Sequence, residues 1–470
     1  MAELFLEGAE RRRLDARVSE CIETALTLAQ SGPVVPEFRA AEFRRDLATF
    51  DFSEPRDIDK VVDWVLAELR PGMTHTTHAR YFGLFNPRPS TASEIADRIV
   101  AAFNPQLAVW SHAPAAVELE QHTVKNVAER LRLPPGSGGH FTVGGSEANF
   151  TALLCALTEK SPNFAARGAR AYPQPPVFYA SRDSHLAWLK IAHQAGIGRD
   201  AVRLVATDGS GRMDIRALDR MIAADVVAGA KPIMLVATAG TTNAGMIDSL
   251  DRCGQSAREH GLWFHVDAAW GGALAASQHL RAQLSGIESA DSITVDAHKW
   301  LATTMGAGMF LLRRPEMLSQ VFRVDAEYMP SNDALRDPYV NSVQWSRRFI
   351  GLRLFLPLAV AGWGGFGQHV ERAVALAARL RSQLLAAGWR VVNDSMVAVL
   401  CAQPPDGAGA AASIVADLVA NGTAWVSTAT FEGEPVIRVC FTNGLSREHD
   451  VDFLANALID RGRPLGRPPA

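Results

Sequence analysis

Cysteine is scarce in this 470-residue chain: the five residues Cys21, Cys155, Cys253, Cys401 and Cys440 are odd in number, far apart and form no CxxC pair. That argues against a disulfide framework or a zinc site and points to a reducing, cytoplasmic compartment. An excess of either charge is also lacking, with 47 Lys and Arg against 50 Asp and Glu and a formal net charge of −3. Such a balance supplies neither the basic field of a nucleic-acid binder nor a polybasic membrane patch. No stretch of about 18 uncharged apolar residues is there to span a bilayer. The opening Met1-Ala2-Glu3-Leu4-Phe5-Leu6-Glu7, followed by Arg11-Arg12-Arg13, has no apolar core and does not read as a signal peptide. Internal repeats and low-complexity linkers are absent. What remains is a soluble intracellular chain too long for one small core, for which two or three units are expected. Glycine, by contrast, is plentiful at 37 residues, as suits tight strand-to-helix turns.

Residues 12–30 and 57–70 carry apolar residues at helical spacing, for example Ile58, Val61, Val62, Val65 and Leu69, and Pro71-Gly72 stops the second run. These helices are too thin to build a core of their own. From about residue 135 short β-rich runs recur at 177–180, 202–205, 233–237, 263–266, 292–295 and 308–312, with helical stretches such as 215–227 and 249–260 between several of them. Alternating strand and helix predicts an α/β layer on a mostly parallel sheet, and near-continuous apolar strands predict a sheet covered on both faces. A long amphipathic helix is expected over 366–388. It is followed by strand (390–401), helix (411–421), strands (423–428 and 435–441) and a last helix over 448–461, a small α+β unit. The tail 462–470 is expected to be disordered.

Chemistry-bearing residues cluster at the ends of those strands. Lys299, in Asp296-Ala297-His298-Lys299-Trp300, ends an apolar run; it is either a lysine snorkelling from a sheet edge or a buried amine that condenses with a carbonyl. Asp267, in His265-Val266-Asp267-Ala268-Ala269-Trp270, is either a helix cap or the partner of a buried cation. Gly144-Gly145-Ser146-Glu147-Ala148-Asn149 leads into an apolar helix. It makes either a capped turn or a phosphate cradle of free N–H groups, positive helix dipole and the Ser146 hydroxyl. His185, just after the run at 177–180, is a structural histidine or a ring that stacks on an aromatic ligand at the edge where α/β folds bind. Gly240-Thr241-Thr242-Asn243-Ala244-Gly245 is a turn, or a hydroxyl offered to a ligand oxygen.

Taken in order, GGSEAN, a strand-end histidine, AGTTNAG, HVDAAWGG and DAHKW resemble the group II pyridoxal-phosphate-dependent amino acid decarboxylases, a family that includes aromatic amino acid, glutamate, cysteine sulfinate and diaminobutyrate enzymes. The resemblance runs from about Arg80 to Arg438. It implies an α/β fold of type I among pyridoxal-phosphate enzymes: a large domain on a mostly parallel seven-stranded sheet over 87–365, and a small C-terminal α+β domain over 366–470. The N-terminal helical segment 1–86 would pack on the partner of a homodimer whose active sites lie at the interface. It implies pyridoxal 5′-phosphate as cofactor and no metal. Lys299 would hold the cofactor covalently, Asp267 would pair with its pyridine nitrogen, and Ala269 and His185 would sandwich the ring. Gly145, Ser146, Asp296 and His298 would surround the phosphate, with Thr242 near the ring hydroxyl. Many relatives carry asparagine at the position of Asp296, which counts against a direct phosphate contact from this carboxylate.

Arg323-Val324-Asp325-Ala326-Glu327-Tyr328 resembles the family's mobile catalytic loop, whose tyrosine is linked to protonation after carbon dioxide leaves. The implied reaction is decarboxylation of an aromatic or acidic L-amino acid to its amine. Another fold type I activity (oxidative decarboxylation, carbon–carbon cleavage or transamination) and a non-catalytic cofactor-binding protein are the alternatives. For substrate contacts the resemblance points to Phe85, Asn86 and, from the partner chain, Trp110 and His112, while Arg438 is either a carboxylate clamp or a surface arginine at a strand edge.

Overall fold

A computed structural model describes residues 4–85, 88–324 and 337–462. Asn86 and Tyr328 lie outside the described residues, as does nearly all of the 462–470 tail. The central sheet has seven strands: β1 (Gly138–Thr142), β2 (Pro176–Ser181), β3 (Val202–Val205), β4 (Lys231–Thr238), β5 (Trp263–Asp267), β6 (Ser292–Asp296) and β7 (Gly308–Leu312). Their order is β1-β7-β6-β5-β4-β2-β3, and β7 alone runs antiparallel to its neighbours β1 and β6. The α/β expectation therefore holds, with one reversed strand inside the sheet.

Apart from the edge strand β3, where Leu204 is 41% exposed, the sheet is buried on both faces because successive side chains serve different cores. Phe178, Met234, Val236, Phe310 and Leu312 pack on the side of the helix Gly145–Lys160, whereas Tyr179, Leu235, Ala237, Met309 and Leu311 pack on the other side. Each Val, Leu, Met or Phe among them is worth about 1.5–3 kcal/mol when fully buried. β1 was not singled out in the sequence; its Gly138-Gly139 start hides the strand pattern. Gly139 sits at φ +143°, where a Cβ would collide with the Phe310 carbonyl of β7, so this close backbone approach requires glycine.

A second, four-stranded antiparallel sheet joins β8 (Arg390–Val391), β9 (Val399–Gln403), β10 (Ser427–Phe431) and β11 (Glu434–Cys440) in the order β10-β11-β9-β8. Three boundaries differ from expectation. The long helix spans Leu352–Ala386 rather than 366–388; Pro357 and the non-helical Gly362 (φ 61°) lie inside it and mask its first half. The run 390–401 is split because the Asn393 side chain accepts the Cys401 N–H at 2.8 Å and donates to the Ala244 and Val399 carbonyls, bending the chain away. The strand foreseen at 423–428 starts only at Ser427, since Trp425 spends its main-chain groups on Arg80 and Phe82.

The N-terminal helices Gly8–Ser31, Ala40–Leu47 and Ile58–Leu69 bury only Leu14 and Ala29 among them. The first and third are laced by exposed ion pairs such as Arg17–Asp63, while Phe5 and Phe52 stand 80% and 90% exposed. Among the described residues no helix is long and apolar enough to cross a membrane.

Candidate active site

The carboxyl ends of β4 and β5 share one register row with Thr294, two residues before the end of β6: Thr238 pairs with Asp267 and Asp267 with Thr294. Ligands in open α/β folds bind beyond such ends. There a cavity of about 300 Å³ opens, lined by Phe85, Gly144, Gly145, Ser146, Asn149, His185, Thr238, Gly240, Thr242, Asp267, Ala269, Trp270, Asp296, His298 and Lys299, together with Val143 and Glu147. Nine residues singled out in the sequence for the cofactor, from Gly145 to Lys299, are thus brought to one place.

Lys299 reaches it because β6 ends at Asp296 and the chain turns, the Lys299 N–H bonding back to the Asp296 carbonyl. Its Nζ lies 3.0 Å from Asp296 Oδ2, while the second oxygen of that carboxylate is buried without a partner. His298 Nδ1 accepts the Ala307 N–H at 3.2 Å, which leaves Nε2 facing Asp296 at 4.0 Å. Opposite stands the start of the helix Gly145–Lys160, which no side chain caps, so its first N–H groups and dipole face the cavity. The space is tight. A Cβ on Gly145 would lie 2.9 Å from Asp296 Oδ2.

Asp267, 6% exposed, accepts the Asn149 amide at 2.8 Å on one oxygen and the Ala269 N–H at 3.2 Å on the other. His185, at the cavity rim, has its ring fixed by the Ala187 N–H donating to Nδ1 at 3.1 Å. Phe85 stacks on Trp270 at 4.2 Å, and Trp270 on Trp300 at 4.5 Å, giving the cavity an aromatic wall.

Other predicted residues are not assembled here. Trp110 and His112 form a short helical turn elsewhere, where the Trp110 indole donates to Glu118 at 2.9 Å. Arg438 is buried behind Phe85, its Cζ 4.8 Å from that ring. It donates to the Thr242 carbonyl at 2.8 Å and the Gly83 carbonyl at 3.0 Å, which commits two arms of the fork to the main chain. Sequence reasoning passed over Asn149 and Trp270. Both stand inside quoted motifs, and the signal for Asn149 was a polar residue on an otherwise apolar helix face.

Comparisons with known proteins bear on the family and the fold. The model of the pyridoxal-dependent decarboxylase conserved domain matches residues 44–401. The chain is 27% identical over 454 residues to an aromatic-L-amino-acid decarboxylase of Bacillus atrophaeus, covering 94% of this chain and 93% of that protein. It is 31% identical over 438 residues to a tyrosine decarboxylase of Oryza sativa subsp. japonica, covering 89% and 81%. The crystal structure of Oryza sativa TDC with PLP and tryptamine shares the fold, with a TM-score of 0.92 at 24% identity over 98% of this chain and 99% of that one.

Proposed function

The chain belongs to the pyridoxal-dependent decarboxylase family, a carboxy-lyase family whose cofactor is pyridoxal 5′-phosphate, and from that premise we propose that it converts an aromatic L-amino acid to its amine and carbon dioxide. One observation carries the reading. A single cavity holds a lysine amine, a buried carboxylate fed by donors from behind, and an uncapped helix start.

The residues present fit the cofactor. Gly145 leaves room where any Cβ would press on Asp296, and an uncapped helix N-terminus with the Ser146 hydroxyl and the His298 imidazole suits a phosphate. Asp296 already pairs with Lys299, so its part is to steer that amine rather than to meet an anion. We assign Lys299 to covalent attachment, Asp267 to the ring nitrogen, Ala269 and His185 to the two ring faces, and Thr242 to the ring hydroxyl. When bound, pyridoxal phosphate supplies the electron sink that takes up the bonding pair as carbon dioxide leaves.

The chain's own residues do the rest. Phe85, backed by Trp270, offers an apolar wall to an aromatic side chain. Arg438 braces the Gly83 and Thr242 walls and is a positioning residue in preference to a carboxylate clamp. For Tyr328 and Asn86, which lie outside the described residues, the proposed roles of proton donor to Cα and substrate contact rest on the sequence resemblance alone. Trp110 and His112 would serve the partner's cavity in a homodimer. The thin N-terminal segment 1–86, with its exposed Phe5 and Phe52, is suited to packing on that partner, beside a large domain over 87–365 and a small one over 366–470. Five unpaired cysteines suit a reducing cytoplasm.

The test is carbon dioxide release from the holoenzyme over the proteinogenic amino acids, cysteine sulfinate and diaminobutyrate, with product analysis under air. One equivalent each of amine and carbon dioxide from an aromatic amino acid is expected. Aldehyde, ammonia and peroxide instead, or no turnover with cofactor bound, would overturn the proposal.

A further inference from the structure

Behind Asp267 the core holds a line of polar side chains that closing the sheet does not require. Trp263, His265, Ser292, Thr294 and Asn149 are each between 0% and 3% exposed, and burying such groups is costly unless every one is paired. They are paired in one direction.

The Asn149 amide has its orientation dictated by its neighbours. One end lies 2.8 Å from Asp267 Oδ2, and a carboxylate oxygen only accepts, so that end is the NH₂. Oδ1 then faces the other way and takes the Thr294 hydroxyl at 2.6 Å and His265 Nε2 at 3.1 Å. The imidazole proton therefore sits on Nε2. Burial holds His265 neutral by lowering its pKa to about 4, so Nδ1 accepts, and its partner at 2.8 Å is the Ser292 hydroxyl. Ser292 Oγ in turn accepts the Trp263 indole N–H at 2.8 Å. Every proton points the same way, from Trp263 through Ser292, His265 and Asn149 to Asp267. In a low-dielectric interior, aligned hydrogen bonds polarise one another.

We propose that Asn149 and His265 are positioning residues that act through Asp267: this one-way donor chain fixes the orientation of the carboxylate and thereby its hold on the ring nitrogen of the cofactor. The proposal rests on the assignment of Asp267 made above. Without Asn149 the carboxylate keeps only the Ala269 N–H, on its other oxygen, and is free to rotate away.

The test compares the binding of pyridoxal 5′-phosphate with that of its 1-carba analogue, in which C–H replaces the ring nitrogen. Dissociation constants are measured by fluorescence titration for the full-length wild-type protein, Asn149→Ala and His265→Phe. The second variant keeps a ring against the Trp188 edge, 5.7 Å from His265, and guards against a folding failure of the first. Wild type should prefer the natural cofactor. Asn149→Ala should weaken that cofactor on the order of tenfold, the usual effect of losing a hydrogen bond to a charged group, and leave the analogue within about twofold. His265→Phe should shift the preference in the same direction by less. An unchanged preference in both variants, or equal losses for both ligands, overturns the relay. Wild type that binds the two alike refutes the assignment of Asp267 to the ring nitrogen, and wild type that binds neither refutes the cofactor reading; the relay falls with either.

Discussion

Gly145→Ala is the smallest change that separates cofactor binding from folding. The added methyl would stand 2.9 Å from Asp296 Oδ2 and 3.3 Å from Oδ1, inside the distance at which carbon and oxygen repel. Asp296 cannot simply swing aside: it is 4% exposed and tied to Lys299 Nζ at 3.0 Å. In the apoprotein the pair can relax together into the open cavity, which displaces the amine at little cost; cofactor binding needs that space back, so the contact with the methyl is felt chiefly in the bound state. Overpacking of this kind costs about 1–3 kcal/mol, which at about 1.4 kcal/mol per decade is roughly a 5- to 150-fold weaker dissociation constant for pyridoxal phosphate. The backbone carries no penalty, because Gly145 is a helical residue with no left-handed φ. An alanine at a compatible site gains about 0.4–1 kcal/mol through the unfolded chain, so the apoprotein should be no less stable than wild type to within about 1 kcal/mol. Cofactor titration followed by absorbance, alongside thermal unfolding of the apoprotein, reads both quantities. Unchanged cofactor affinity would refute the cradle, and a collapse of apoprotein stability would refute the claim that this glycine serves the ligand.

In Lys299→Ala, pyridoxal phosphate should still bind to some degree, but borohydride should no longer fix it to the protein; mass spectrometry finding fixation at another lysine would sink the assignment. Glu120→Ala should cost about 3–5 kcal/mol in denaturant unfolding. It strips Arg347 of a partner at 2.6 Å, with both side chains 1% exposed, and frees the Ile350 and Gly351 N–H groups, so a loss under 1 kcal/mol would contradict this. His140 is buried with neither ring nitrogen bonded, and its pKa is lowered to about 3 by burial and the nearby Arg347. A depressed folded-state value means the stabilising contribution of neutral His140 is complete above pH 6.5 and lost as pH falls toward 3. Relative to His140→Phe, wild type should therefore lose about 3 kcal/mol between pH 7 and pH 4, and parallel unfolding profiles would refute it.

How much of this was legible follows from how local each signal is. The strand at 308–312 was placed to the residue because double burial forces an apolar run, and the edge strand at 202–205 because its valines and leucine favour a strand although Leu204 is 41% exposed. Gly138-Gly139 hid a strand for the opposite reason, since what Gly139 answers to is the Phe310 carbonyl far along the chain, and Pro357 hid the first half of a helix that local propensity argues against. The site divides in the same way. Asp267 and Lys299 end or follow β5 and β6, strands consecutive in the sequence and adjacent in the sheet, so their motifs point to one place without knowledge of the topology. The glycine cradle follows β1, which the reversed β7 separates from β6. What carries its helix back over β7, β6 and β5 is packing against strands more than a hundred residues further on. Asn149 meets Asp267 only through that crossing, 118 positions away in the chain. A residue whose purpose is set by a partner so remote leaves no local pattern. Within its own segment, Asn149 differs from its helical neighbours only in being polar where Ala148, Ala152 and Leu153 are not, and that mismatch is what a search for such residues should look for.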